Sequence, residues 1–277
     1  MKTKIFCVSL ITLLAGKALA TDPVSNEMVW TSVYEVSAAT PRLVISNIWG
    51  NVRVRAGEAG KITVTVDEHR TAPTEELFEQ SHETVYLDVQ ADTEGVSMIV
   101  GGPVRTWRHF DRCPGCRVDY QFEVTVPPGA QIDVSTVTDG RVDVAGINGP
   151  ISASNVNGPV TVGDLHNCQE IESVNGAIDL NFARAPSEDC NIETINGDIT
   201  MMMPASAGLN AALDVIRGSV VSEFDVDTMA LPAKVEQSER DGRYVYRIEQ
   251  PIGVRLGGGG PTFTFSSLNG DIRIRKN

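Results

Sequence analysis

The chain has 277 residues and a formal net charge of −13. That excess of acid repels nucleic-acid phosphates and anionic lipid headgroups, so neither is expected as a partner. The length allows a sizeable core in one elongated domain.

Residues 1–20 read as a secretory signal peptide. Lys2 and Lys4 precede an apolar run from Ile5 to Ala15, and Ala18-Leu19-Ala20 supplies a small-x-small cleavage site before Thr21. The run is too short to span a bilayer. Lys17, not cysteine, follows Leu14-Ala15-Gly16, so no lipid anchor is expected, and Arg273-Ile274-Arg275-Lys276-Asn277 is no hydrophobic tail. A periplasmic or secreted protein that does not span the membrane is predicted. Cleavage removes three lysines and no acid, leaving 257 residues at −16.

Residues 21–126 read as an N-terminal β module. Alternating runs such as Val52-Arg53-Val54-Arg55 and Ile62-Thr63-Val64-Thr65-Val66 mark half-buried strands. Further strands are predicted at 84–89, 95–100 and 118–126. Pro73 to Glu83 carries Glu75, Glu76, Leu77, Phe78 and Glu79, which predicts one short helix. The segment from Trp107 to Cys116 reads as an irregular loop.

Residues 127–277 carry a repeat. An aliphatic residue, Asn-Gly, one residue and another aliphatic recur around Asn148-Gly149, Asn157-Gly158, Asn175-Gly176, Asn196-Gly197 and Asn269-Gly270. Gly140, Gly158, Gly176, Gly197 and Gly218 are spaced 18, 18, 21 and 21 residues apart. Alternating aliphatics flank them, as in Ile178, Leu180 and Phe182. Asn-Gly between such runs predicts a tight turn, since both residues accept positive φ. Two strands and two turns in roughly 20 residues predict one coil of a β-solenoid or β-roll. A meander of hairpins is the rival, and the even spacing favours coils. The predicted class is therefore all-β: stacked two-strand coils, an N-terminal β module continuous with them, and one short helix. Ser46-Asn47-Ile48-Trp49-Gly50 reads as a degenerate copy, with Trp49 in the asparagine slot. Arg243 to Ile248 alternates and predicts a hairpin arm. Gly257 to Gly260 with Pro261 reads as a flexible turn before the last strand pair.

The signal peptide, the opening Leu43-Val44-Ile45-Ser46-Asn47 with Gly50, Val126-Pro127-Pro128-Gly129, and the copies ending Asn-Gly-Asp-Ile together resemble the bacterial putative-adhesin family. The resemblance covers nearly the whole mature chain. It implies an extracytoplasmic β-solenoid without known catalytic residues, and it brings no binding residues to carry over. The Cys113-Pro114-Gly115-Cys116 loop departs from the family pattern.

Four cysteines remain after cleavage, an even number that suggests two disulfides in an oxidising compartment. Cys168 lies eight residues before Gly176 and Cys190 seven before Gly197, nearly the same place on consecutive coils. A Cys168–Cys190 bridge is therefore predicted. Around Pro-Gly, Cys113 and Cys116 could form a local bridge, a redox pair or half a zinc site with His109. The missing βαβ context and ligands favour the bridge. Trp107, Arg108, His109, Phe110 and Arg112 in the same loop form a possible binding loop, against the alternative that the aromatics cap the core.

The Asn-Gly asparagines could line one edge as a ligand ladder, although backbone tolerance is the commoner reason for asparagine in turns. Asp139, Asp164, Asp198 and Asp271 lie at or near turns, but the calcium β-roll nonapeptide is absent. The four histidines are scattered, and no nucleophile elbow, His-Glu-x-x-His pair or phosphate loop occurs. No catalytic residue, metal or cofactor is predicted. The expected function is an exported, non-enzymatic β-repeat protein, an adhesin or cell-envelope interaction scaffold. Its partner would be an unidentified envelope or extracellular polymer or protein. The alternative is a carbohydrate-active enzyme or glycan-binding module on the same fold.

Overall fold

A computed structural model describes residues 8–9, 23–106, 112–231, 234–240, 243–249 and 252–277. The predicted leader lies outside these residues, save Val8 and Ser9. In chain order the strands of the N-terminal part are β1 (Val8–Ser9), β2 (Val24–Glu35), β3 (Arg42–Ser46), β4 (Val52–Ala56) and β5 (Lys61–Ala72). Helix α1 (Glu75–Thr84) follows, then β6 (Tyr86–Ala91), β7 (Gly95–Gly101) and β8 (Arg117–Val126). The repeat region supplies β9 (Gln131–Thr136), β10 (Val142–Ala145), β11 (Ile151–Asn157), β12 (Val160–Leu165), β13 (Glu170–Asn175), β14 (Ile178–Phe182), β15 (Cys190–Asn196) and β16 (Ile199–Met203). The last are β17 (Leu209–Arg217), β18 (Val220–Ser222), β19 (Val226–Met229), β20 (Lys234–Arg240), β21 (Arg243–Glu249), β22 (Ile252–Leu256), β23 (Thr262–Asn269) and β24 (Ile272–Lys276).

The fold is all-β, with two large mixed sheets of 11 strands each. Along the first the order is β1-β2-β5-β8-β4-β10-β12-β14-β16-β24-β18; along the second it is β19-β22-β17-β23-β15-β13-β11-β9-β3-β7-β6. From β9 to β18 the chain alternates between the sheets, one strand to each. Equivalent strands of successive units pair in parallel and in register: Val142 with Val160, Val160 with Ile178, Ile178 with Ile199. A meander of hairpins would have produced antiparallel neighbours, so the rival reading fails here. The degenerate copy joins the stack, because β3 pairs in parallel with β9 and β4 with β10.

Period-two alternation decides which side chains go inside. Val160, Val162, Ile178, Leu180, Ile199 and Met201 point between the sheets and are fully buried. Ile132, Ile151, Ile171 and Ile192 meet them from the other sheet in one continuous cluster. At the N-terminal end the long antiparallel strands β2, β5 and β8 extend the first sheet. Helix α1 starts where Thr74 accepts a hydrogen bond from the Leu77 N–H. It packs on β5 through Arg70, which is buried, paired with Glu68 at 2.8 Å, and donates to Ser81 Oγ and the Val85 carbonyl.

Two features depart from the sequence order of the repeats. The final strand pair, β23 and β24, does not extend the end of the stack. It lies between the β15/β16 unit and the β17/β18 unit, which are consecutive in sequence. Beyond β17 the second sheet ends in the antiparallel strands β22 and β19. The predicted hairpin arm is β20 paired with β21 as a separate two-stranded sheet.

Candidate interaction surface

The repeat motif builds one edge of the stack. Gly50, Gly140, Gly158, Gly176, Gly197, Gly270 and Gly218 lie above one another in that order. A Cβ on any of the last six would meet the carbonyl oxygen of the glycine before it inside 3.0 Å, a distance real Cβ atoms do not adopt. This corrects the expected reason for glycine in part: Gly50, Gly158 and Gly270 do have positive φ, but the other members of the column do not. Gly176 and Gly197 are not in the left-handed region, and neither is any motif asparagine. The motif is not a two-residue turn with positive φ at both places. Glycine is needed because adjacent backbones approach too closely for a side chain.

Five carbonyls of this column are hydrogen-bonded from inside. Thr136 Oγ1 donates to Gly50 O at 2.9 Å, Asn155 Nδ2 to Gly140 O at 2.9 Å, and Ser173 Oγ to Gly158 O at 3.2 Å. Thr194 Oγ1 donates to Gly176 O and Ser267 Oγ to Gly270 O. All five donors are buried. A buried carbonyl without a donor costs about 1–3 kcal/mol, so this inner polar row is part of the fold. Its signal was present in the sequence for four of these donors, Asn155, Ser173, Thr194 and Ser267, and for Asn47, which also donates to Gly50 O: each is a small polar residue three places before a glycine of the column.

Outside the glycines the asparagines form a ladder. Asn175 Nδ2 donates to Asn157 Oδ1 at 2.9 Å, Asn196 to Asn175 at 2.8 Å, and Asn269 to Asn196 at 2.8 Å. Asn157 Nδ2 closes the lower end on the Val137 carbonyl. Each asparagine is the last residue of its strand, so its role is the side-chain bond rather than a turn conformation. Asn148-Gly149 is the exception. It lies between β10 and β11, at the opposite edge, where Gly149 packs against Ala130 O. That copy is not a member of the ladder.

One residue inward, the outer face of the second sheet carries an aliphatic row. Val156, Ile195, Leu268 and Ile216 are 37%, 38%, 38% and 66% exposed, and Val174 is half-buried between them. Strand alternation sends these side chains outward beside the inward polar row. Next comes an acidic row: Glu172 pairs in register with Glu193, beside Ser154 and Ser266. Val156, Val174, Ile195, Glu172 and Glu193 line a shallow depression of about 170 Å³. Burial first, then Glu170 and Glu193, hold the Glu172 carboxyl above its ordinary range.

The turn aspartates separate. Asp198 and Asp271 come together, and Arg273 bridges them at 2.6 and 2.7 Å, so a guanidinium occupies the place of a cation. The Arg273 hydrogen bond holds Asp198 below the usual carboxylate range, and bonds from Ser219 do the same for Asp271. Asp139 pairs with Arg117, and Asp164 adopts positive φ. No group of ligand-type side chains that could hold a metal occurs among the described residues.

Both predicted disulfides are present, Cys113–Cys116 and Cys168–Cys190, each with Cα atoms 5.4 Å apart. The first is buried in a small cluster with Ala72 and Phe78, away from solvent-borne thiols. The second ties β15 to the turn before β13. Of the possible binding loop, Trp107, Arg108, His109 and Phe110 lie outside the described residues; Arg112 is exposed.

No family model matches the chain, and no curated protein matches it. Among solved structures it is similar to a putative cell adhesion protein from Clostridium sporogenes, with a TM-score of 0.45 and 11% identity, covering 92% of this chain and 100% of that one. It is similar also to a putative adhesin from Bacteroides fragilis, with a TM-score of 0.38 and 14% identity over 90% and 97% of the two chains. Likeness at this level sets no residue correspondence. No helix among the described residues is long and apolar enough to cross a membrane.

Proposed function

We propose that this chain is an exported, non-enzymatic β-solenoid that serves as an adhesin or cell-envelope interaction scaffold. The partner would be an envelope or extracellular polymer or protein, met by the outer face of the second sheet. The observation that carries this reading is the exposed aliphatic row from Val156 to Ile216, set between the asparagine ladder and the acidic row. Scattered exposed aliphatics need no explanation, but a contiguous row rimmed by polar residues marks an interaction surface. The directly opposed Glu172 and Glu193 repel each other, a cost that a binding surface can justify and a passive wall does not need. Export rests on the leader and on the two disulfides, which suit an oxidising compartment.

A screen of purified mature protein against envelope polymers and host-type glycans tests the reading. For any binder found, Ile195→Asp with Leu268→Asp should weaken affinity at least about tenfold, roughly 1.4 kcal/mol, with melting unchanged. Full binding by that variant would rule the face out. N-terminal sequencing of the exported chain should begin at Thr21.

One observation favours the second reading, a carbohydrate-active enzyme: Glu170, Glu172 and Glu193 cluster with a raised carboxyl among them. The side chains beside them are aliphatic rather than aromatic. Release of reducing ends from cell-wall or capsular polysaccharide would establish the enzyme, and Glu172→Gln should then abolish it.

A further inference from the structure

The final strand pair fills a slot that a second copy can fill as well. We propose that residues 262–276 are an exchangeable unit: two copies of the chain link by inserting this unit into each other, between β15/β16 and β17/β18.

Three observations carry the proposal. The first is topological. The two units that flank the slot follow one another in sequence, with Gly197 and Gly218 separated by the same 21 residues as Gly176 and Gly197. The chain is thus built to stack β17/β18 directly on β15/β16, and the inserted unit interrupts them. If it leaves, the flanking units can close on each other through the same glycine column instead of exposing two raw edges.

The second is the shape of what is inserted. Phe263, Phe265, Ser267, Ile272 and Ile274 are fully buried between the sheets. Every pairing is in register on both sides: Asn269 faces Asn196 on one and Arg217 on the other. Gly270 completes the glycine column and Asn269 the amide ladder. The slot therefore selects a segment with an aromatic-x-aromatic-x-small polar run followed by Asn-Gly-Asp-Ile. That segment is the tail of this same chain.

The third is the connection. To reach the slot from β22, the chain passes over the start of β17 through Gly257 to Gly260 and Pro261. Gly257, Gly258 and Gly259 all have positive φ, and the loop packs against Gly208. An element on a tight, glycine-rich hinge can be exchanged between copies at low cost, because every contact made within one chain is remade between two. Linked copies would present two interaction faces, and paired sites gain avidity without any new contact.

Glu193 and Ser266 are in-register neighbours on the outer side of the slot, within the reach of a disulfide. Full-length mature chains carrying either Glu193→Cys or Ser266→Cys, one with a size tag, are unfolded together in urea without reductant. They are then refolded at high concentration under air. Exchange predicts a covalent dimer of the two different variants in about tenfold excess over either homodimer on a non-reducing gel. Deleting Gly258 and Gly259 should strain the return within one chain, and light scattering should then report mainly dimer. A mixed product no more abundant than the homodimers overturns the proposal, whether or not the shortened chain folds. A folded, monomeric shortened chain overturns it too.

Discussion

Gly176 shows how one residue type serves two purposes that a sequence cannot tell apart. A glycine after asparagine suggests a left-handed turn, yet Gly176 is absent from the positive-φ residues. Its hydrogen is required because Gly158 O lies where a Cβ would be. Gly176→Ala separates the two reasons. A left-handed site would lose about 1 kcal/mol, whereas a blocked column should cost about 3 kcal/mol or more in chemical denaturation. Asn175→Ala removes two exposed amide bonds and should cost about 1–2 kcal/mol. A loss from Gly176→Ala below that from Asn175→Ala would show that the column is not tightly stacked. The recurrence of Asn-Gly was legible in the sequence. Its cause was not, because the neighbour that forbids a side chain comes from another unit, 18 residues away for Gly176 and 73 for Gly270.

Glu172 gives a second test at the same scale. Its carboxyl is raised, so the folded chain holds a proton there at a pH where the unfolded chain has released it. The group's contribution to stability is greatest below the unfolded carboxyl range, about 4.3, and falls as pH rises through the folded value. Glu172→Gln should therefore raise the melting temperature by about 1–2 °C at pH 7, discounting for partial exposure, and change it little at pH 4. The reverse order would mean that Glu172 is stabilised as an anion.

At the scale of elements, the Cys168–Cys190 bridge joins adjacent units across a separation of 22 residues. Closing a loop of that size is worth about 3 kcal/mol. Cys168→Ser with Cys190→Ser should lower the melting temperature by roughly 6–12 °C for a chain of this size. An unchanged temperature would mean that the units stay stacked in the denatured chain or that the bridge does not form. This bridge could be read from spacing because both cysteines keep the same offset from their glycines. The position of β23 and β24 could not. Their motif resembles that of every other unit, and the contacts that fix the interior slot, such as Phe263 beside Phe182 with ring centroids 5.7 Å apart and Asp271 bonded to Asp198 and Ser219, come from units distant in sequence.

Over the whole molecule, alternation and even glycine spacing were enough to anticipate two layers of strands with a continuous aliphatic interior. The match of Ser46-Asn47-Ile48-Trp49-Gly50 to the motif also anticipated that Gly50 belongs with the repeats. The candidate surface was less legible. In the sequence Val156, Ile195 and Leu268 look no different from the aliphatics that follow the motif and point inward, such as Val160, Ile199 and Ile272. Only the buried polar neighbour in each unit reveals that they point out. Adjacent aliphatics such as Val174 share that side of the sheet, so a partner would meet a row that runs along the stack.

The strand pair β23 and β24 is an interior unit of the stack. Native-state hydrogen exchange tests this directly. Amides of residues 263–275 should be protected as strongly as those of 190–203, and more strongly than those of the edge strand 220–222, because they are bonded on both sides. Rapid exchange throughout 263–275, as for a fraying terminus, would contradict the inserted unit and the column of glycines that runs through it.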